Sequence, residues 1–372
     1  MLTGITEIDQ EQLKSLMRFT IRQGSNLLTF GPAGVGKTEL AMQSCHEEEI
    51  DYIYLNLSVL EAPDLMGLPM IDEEHGTTAY ALPEILPRAG VGKPKVLLVD
   101  EADKAKPELQ NPCLELFQFR SINGKPLNVK AVIATGNLPD EGAFSQPMSH
   151  ALTNRCTVFR VGCSFEPWRE WAVDAGINNL IVGFLAKNQE YLLQPPPEGD
   201  ETAYCHPSPR AWTLAARDLD GTMAAKDLTS DVDFQTLLVA GRVGQGAAVK
   251  FKVWLEHYRF IEPIIDSLAK NGTKPDISKM TIDRQLVCAL GAVGRMMAAT
   301  RDDHKGNKDA HKKEIHKVTS NVMDWMKDLP SEFCIAAVKS TLSMKVIQDF
   351  ELTKIKPFMD VYLKIRQSLK QD

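Results

Sequence analysis

The sequence predicts an α/β front half, a parallel sheet sandwiched between helices, joined to a back half built of helices alone. Three observations carry that expectation. Short apolar runs alternate with helical spacing up to about residue 165, helical spacing then takes over, and a glycine-rich turn stands between an early strand and the helix after it. At 372 residues the chain exceeds what one compact core usually holds, so one large domain and one or two smaller ones are expected.

In chain order, residues 7–23 have helical spacing and Asn26 to Phe30 reads as a buried strand that ends at a glycine. Glu39 to Glu48 reads as a helix. Asp51 to Leu57 is a second strand, and Lys95 to Asp100 a third, apolar almost throughout as a strand covered on both faces should be. Ala131 to Thr135 and Thr157 to Val161 complete the set. Beyond residue 165 the helical segments are 166–193, 209–228, 231–270, 280–301, 309–328 and 331–370. Turn-forming stretches at Gln194 to Asp200 and Asn271 to Asp276 separate some of them.

Composition narrows the class. The chain is 44% apolar and 24% charged, as globular proteins are, and no apolar run approaches a membrane span. Met1 to Gly4 has neither a basic start nor an apolar signal core. The net charge is −7, with 14 basic against 21 acidic residues up to position 165 and 28 of each after it. That balance argues against a surface built for duplex DNA, whose non-specific affinity comes from phosphate neutralisation by Lys and Arg. Seven cysteines without a C-x-x-C pair point to reduced thiols in a cytoplasmic protein. His304, His311 and His316 fit no ligand spacing and read as a solvated segment.

The chemistry concentrates in the front half. Gly31, Pro32, Ala33, Gly34, Val35, Gly36, Lys37 and Thr38 fit G-x-x-x-x-G-K-[ST] between a strand and a helix. Glycines there let successive backbone N–H groups surround phosphate oxygens, Lys37 neutralises their charge, and Thr38 offers a hydroxyl to Mg²⁺. The strand ending in Asp100 and Glu101 brings two carboxylates to the edge where open parallel sheets bind ligands. Asp100 suits the Mg²⁺ shell and Glu101 the attacking water; Asp103 suits local charge or a neighbouring subunit.

These motifs resemble the AAA+ ATPases, and within them the MoxR-like group, over residues 20–215. Three further motifs follow in the family's order: Ala134-Thr135-Gly136-Asn137, Leu152-Thr153-Asn154-Arg155-Cys156 and Pro207-Ser208-Pro209-Arg210-Ala211-Trp212. The resemblance implies that Asn137 is the sensor-1 residue, Arg155 a finger reaching the adjacent subunit's nucleotide, and Arg210 a sensor-2 arginine acting in cis. Cys156 departs from the family, which usually has an aromatic there. Residues 64–81 and 120–128 read as hairpins in the positions of the family's helix-2 and pre-sensor-1 inserts, where they would face a ring's pore.

The resemblance and the change to helical spacing together imply a nucleotide-binding αβα domain at 1–165 and a helical lid at 166–225, while residues 226–372, which match no family motif, read from their spacing as a helical extension. The resemblance also implies ATP with Mg²⁺, a homo-oligomeric ring, most simply a hexamer, and a protein client, with a von Willebrand factor A-like partner as in many members. Two competing classes stay open: a nucleic-acid motor or GTP-using relative on the same fold, and a nucleotide-gated scaffold with little turnover. Asn137 to Asp140 could be taken as a guanine-reading N-x-x-D, whereas Thr273 to Asp276, although shaped like [NT]-K-x-D, lies far from any strand and reads as a turn. Lys305, Lys308, Lys312, Lys313 and Lys317 alternate with acids and lack the aromatics on which bases stack, so they read as a solvated face.

Overall fold

The computed structural model describes residues 4–138, 148–195, 204–224, 231–278, 280–301, 308–342 and 344–368. It divides into two compact units, Met1–Ser164 with Pro195–Asp200, and Phe165–Gln194 with Glu201–Asp372. The α/β front and helical back expected from the sequence are both present.

In the first unit the strands are β1 (Glu7–Ile8), β2 (Asn26–Phe30), β3 (Tyr52–Asn56), β4 (Leu68–Asp72), β5 (Thr77–Ala81), β6 (Lys95–Asp100), β7 (Ser121–Ile122), β8 (Lys125–Pro126), β9 (Val129–Gly136) and β10 (Thr157–Val161). The helices are α1 (Gln10–Gln23), α2 (Lys37–Glu47), α3 (Ala62–Met66), α4 (Pro107–Phe119) and α5 (His150–Thr153). Six strands form one sheet in the order β1-β10-β2-β9-β6-β3, and every pairing in it is parallel. Val96, Leu97, Leu98 and Val99 are all buried, which is why β6 carries no polar alternation. The chain leaves β2 in mid-sheet and enters β3 at the far edge, so the loop after β2 lies at a topological switch point, where such sheets bind ligands.

Two local departures have identifiable causes. The helical spacing from residue 7 yields a helix only from Gln10, because the Asp9 carboxylate accepts the Gln12 backbone N–H (2.8 Å) while the Gln12 side chain accepts that of Asp9 (3.1 Å). Glu7 and Ile8, left outside this capping box, pair with Arg160 and Val161 as an edge strand. Spacing alone assigns no element to Pro107–Phe119, where α4 forms with Pro112 inside it and Leu109, Cys113 and Leu116 on its buried side.

Both expected hairpins form. The β4–β5 pair is antiparallel, and the Asp72 carboxylate organises its turn by accepting the N–H groups of Glu74 and His75 (3.1 Å each). The β7–β8 turn places Asn123 (φ 51°) and Gly124 (φ 69°) both at positive φ, as a type I′ turn requires. Its N–H groups at 123 and 124 donate to the Glu115 carboxylate of α4 (3.0 and 2.8 Å), and Asn123 Nδ2 donates to the Met66 carbonyl (2.7 Å), which ties the two hairpin regions together.

The second unit consists of α6 (Phe165–Asp174), α7 (Asn179–Lys187), α8 (Pro209–Ala224), α9 (Val232–Val243), α10 (Gln245–Asn271), α11 (Ile282–Arg301), α12 (Lys308–Met326), α13 (Ser331–Thr341), α14 (Met344–Asp349) and α15 (Lys356–Ser368). Three of the expected helical runs are broken into shorter helices. Gly244 (φ 84°) divides 231–270, and a side chain there would meet the Cys205 carbonyl at 2.7 Å. Gly176 (φ 74°) divides 166–193, while extended backbone at Leu342 and positive φ at Glu351 (φ 52°) divide 331–370. Phe184 is the centre of the core, with ring centroids of Trp212, Phe251, Tyr191 and Trp254 at 5.3, 5.5, 6.1 and 6.5 Å.

Lys274, in the guanine-like stretch, pairs with Asp324 and Asp328 (3.0 Å each), so that irregular connection after α10 is held by ion pairs within the helical unit. In the basic run, Lys312 pairs with Glu351 (2.5 Å). His304 and Lys305, Pro139 and Asp140, and most of the Pro-rich stretch at 194–200 lie outside the described residues, as does the end of the 209–228 run.

Candidate nucleotide site

The loop between β2 and α2 is shaped by its glycines. A side chain at Gly31 would meet the Val161 carbonyl of β10 at 2.6 Å, and Gly36 at φ 100° holds a conformation that L side chains rarely adopt. Gly36 is also the N-cap of α2 and supplies no side-chain hydrogen bond, which leaves the first-turn N–H groups of the helix for an anion. Lys37 and Val35 are buried against this loop. The Lys37 ammonium donates to the carbonyls of Gly31 (2.5 Å) and Pro32 (3.0 Å) and to Asn137 Oδ1 (3.1 Å).

Asn137 follows β9, the strand beside β2, and its backbone N–H donates to Asp103 Oδ1 (3.0 Å). Asp103 is fully buried, not facing a neighbour, and packs on Gly136, where a side chain would meet its carboxylate at 2.9 Å. Burial raises its carboxyl above the ordinary value, opposed by the Asn137 N–H. Asp103 therefore anchors the backbone that presents Asn137.

Asp100, at the end of β6, is the most heavily hydrogen-bonded carboxylate of the site. Its Oδ1 accepts from Thr38 Oγ1 (3.1 Å), from the Glu101 N–H (3.1 Å) and from Thr135 Oγ1 in a short bond. Its Oδ2 accepts from the Tyr54 hydroxyl (2.8 Å). Burial, then the hydrogen bond to Asp100, push the Tyr54 phenol up to about 12, so it stays a donor at neutral pH. Glu101 itself sits at φ 54°, and its carboxylate pairs with Lys104 (2.6 Å) one turn on.

The structure thus brings the phosphate loop, the two acids and Asn137 to one sheet edge. Arg155 is on the same unit but held elsewhere: its guanidinium donates to Gln118 Oε1 (2.9 Å) and to the Ala151 carbonyl (2.5 Å). Cys156 packs on the core beneath it, and burial raises its thiol to about 12. Arg210 is exposed in the first turn of α8 in the second unit, while Trp212 of the same motif is buried, its indole N–H donating to the Tyr191 carbonyl (2.6 Å). Tyr54 and Thr135 are the contributors that sequence reasoning missed. Thr135 was inside a quoted motif, but nothing in the sequence says that β3 lies beside β6 and β9 on its other side.

The donor set fits Mg²⁺ and a nucleotide. Magnesium takes few protein oxygens and keeps phosphate and water ligands, and here a hydroxyl and a carboxylate meet at the helix N-terminus. Among the described residues no group of three or more His, Cys, Asp or Glu side chains could hold a metal ion.

Residues 27–156 match the family described as AAA, ATPase family associated with various cellular activities, so the first unit carries an AAA ATPase domain. Among curated relatives, the Replication factor C small subunit 1 of Pyrobaculum islandicum is 30% identical over 157 residues, 41% of this chain and 42% of that protein. The Replication factor C small subunit of Methanocella arvoryzae is 24% identical over 236 residues, 63% of this chain and 64% of that one. The chain thus spans less than two thirds of the length of these relatives. Among solved structures, NtrX from Brucella abortus in complex with ADP aligns at a TM-score of 0.38 and 15% identity, covering 92% of this chain and 68% of that one. The RuvB Holliday junction branch migration motor of Thermotoga maritima aligns at 0.32 and 15%, covering 70% and 76%. No helix among the described residues is long and apolar enough to cross a membrane.

Proposed function

We propose that this chain hydrolyses ATP as a MoxR-like member of the AAA+ ATPases, in a cytoplasmic homo-oligomeric ring, and uses the cycle to remodel or mature a partner protein. The observation that carries the reading is the pair of contacts Thr38–Asp100 and Lys37–Asn137, which draws three separate motifs to one edge of the sheet. Lys37 and the N–H groups of the loop bind the phosphates, and Thr38 and Asp100 would hold Mg²⁺, which neutralises charge on the phosphate oxygens. Glu101 accepts the proton of the attacking water, a role for which it exchanges its Lys104 partner for that water. Asn137 orients the water or reads the γ-phosphate from a backbone anchored by Asp103.

In this reading Arg155 completes the adjacent subunit's site and Arg210 contacts the nucleotide in cis, where a guanidinium stabilises charge on the transferring phosphoryl group. A protein client is supported by the β4–β5 hairpin: Leu68, Met70 and Ile71 are exposed, Ile71 to 80%, a surface suited to apolar peptide and not to phosphates. A von Willebrand factor A-like partner enters this reading by family resemblance alone. Hexameric stoichiometry belongs to the same reading.

A second reading is favoured by the relatives named Replication factor C small subunits, which suggest an ATPase acting in replication with nucleic acid. One experiment separates the two. The Glu101→Gln variant is expected to retain ATP, to lose turnover by about 10²–10³-fold, and to co-purify with its client, while wild-type turnover is indifferent to single- and double-stranded DNA. Strong stimulation by DNA, with no protein retained, selects the second reading. A Glu101→Gln variant that keeps partner function without turnover selects a nucleotide-gated scaffold.

A further inference from the structure

We propose that Tyr54 is a positioning residue for the Asp100 carboxylate, fixing the orientation in which that group meets Mg²⁺. The proposal rests on reading Asp100 as the metal's protein ligand, as above. A carboxylate on a strand end can rotate and exchange its two oxygens, and each rotor frozen on binding costs conformational entropy. Here the exchange is blocked from both sides. Three donors, from α2, from β9 and from the backbone after β6, converge on Oδ1. On Oδ2 the only donor among the described residues is the Tyr54 hydroxyl at 2.8 Å.

Tyr54 reaches Asp100 because β3 and β6 are parallel and in register, Tyr54 beside Leu98 and Asn56 beside Asp100. Packing alone does not call for such a bond: Tyr54 is 39% exposed, on the edge strand. A phenol placed for burial would hide its ring; this one sets its hydroxyl on a charged acceptor at the mouth of the phosphate loop. Hydrogen bonds to a charged group are the strong ones, and the loss of one at a metal ligand is expected to weaken metal affinity by about tenfold.

The test uses the full-length chain and a fluorescent, non-hydrolysable ATP analogue, with binding followed while Mg²⁺ is titrated. Wild type should bind more tightly as Mg²⁺ rises. Tyr54→Phe, which removes one oxygen and leaves the ring, should need about tenfold more Mg²⁺ for the same gain, with unchanged affinity in EDTA and an unchanged unfolding midpoint. An unaltered Mg²⁺ half-saturation in Tyr54→Phe overturns the proposal. So does a parallel loss of affinity in EDTA, which marks a merely structural tyrosine. A wild type that ignores Mg²⁺ overturns the reading of Asp100 instead, so the two failures are told apart.

Discussion

Lys37 shows how one residue serves both the folded chain and its ligand. The ammonium of a buried lysine needs acceptors, and the protein provides two loop carbonyls and Asn137 Oδ1. Phosphate oxygens offer the same acceptor chemistry with more charge, so binding exchanges partners and does not create a new buried cation. Lys37→Ala is therefore expected to cut nucleotide affinity by at least about a hundredfold, measured by fluorescent ADP binding. A loss under tenfold would mean that backbone N–H groups alone hold the phosphates. The motif reading reached Lys37, Thr38, Asp100, Glu101 and Asn137, because each lies in a contiguous signature. It did not reach Tyr54 or the anchoring role of Asp103, whose partners are distant in sequence.

Elements are fastened around the site by ion pairs that face solvent. Helices α1 and α2 are joined by Lys14–Glu47 (2.6 Å), Arg18–Glu48 (2.7 Å) and Arg22–Glu48 (2.7 Å). Hydrogen bonds from Arg22 and then Arg18 hold the Glu48 carboxyl down at about 2, against an ordinary 4.5. A lowered carboxyl stabilises the fold above its unfolded value and loses that contribution as pH falls through the folded one. Glu48→Gln should thus lower the urea midpoint at pH 7, and the gap from wild type should close as pH drops from about 4.5 to about 2, where both carry a neutral side chain at 48. A gap independent of pH would show that the amide disturbs packing instead. At this scale the strands after residue 26 were legible from their apolar runs, whereas helix breaks at Gly176 and Gly244 were not, since a lone glycine inside a helical pattern carries no certain stop.

At the scale of the whole chain, the net charge of −7 lies within residues 1–164, the main segment of the first unit, and the count includes Asp100 and Glu101. On the proposed reading Mg²⁺ would meet part of that charge, which would make acidity there a feature of the site as much as of the surface. The ring reading makes a prediction that only an assembly can satisfy. Mixing Arg155→Ala subunits with Lys37→Ala subunits should restore part of the hydrolysis that each variant lacks alone, because a mixed interface can pair an intact loop with an intact finger. Co-assembled rings with no recovered turnover would assign Arg155 to the structural role its bonds to Gln118 and Ala151 already give it.

By itself the sequence determined the α/β front and helical back, the five main strands and the phosphate loop, because hydrophobic period and glycine spacing are local properties that a single chain carries along its length. Only the tertiary structure decided that β3 takes the edge beside β6, that Asp9 caps α1 and delays its start to Gln10, leaving β1 outside it, and that Tyr54 meets Asp100. Strand order and side-chain convergence arise from contacts between segments tens of residues apart, and no local pattern encodes which of several equally apolar strands will be a neighbour.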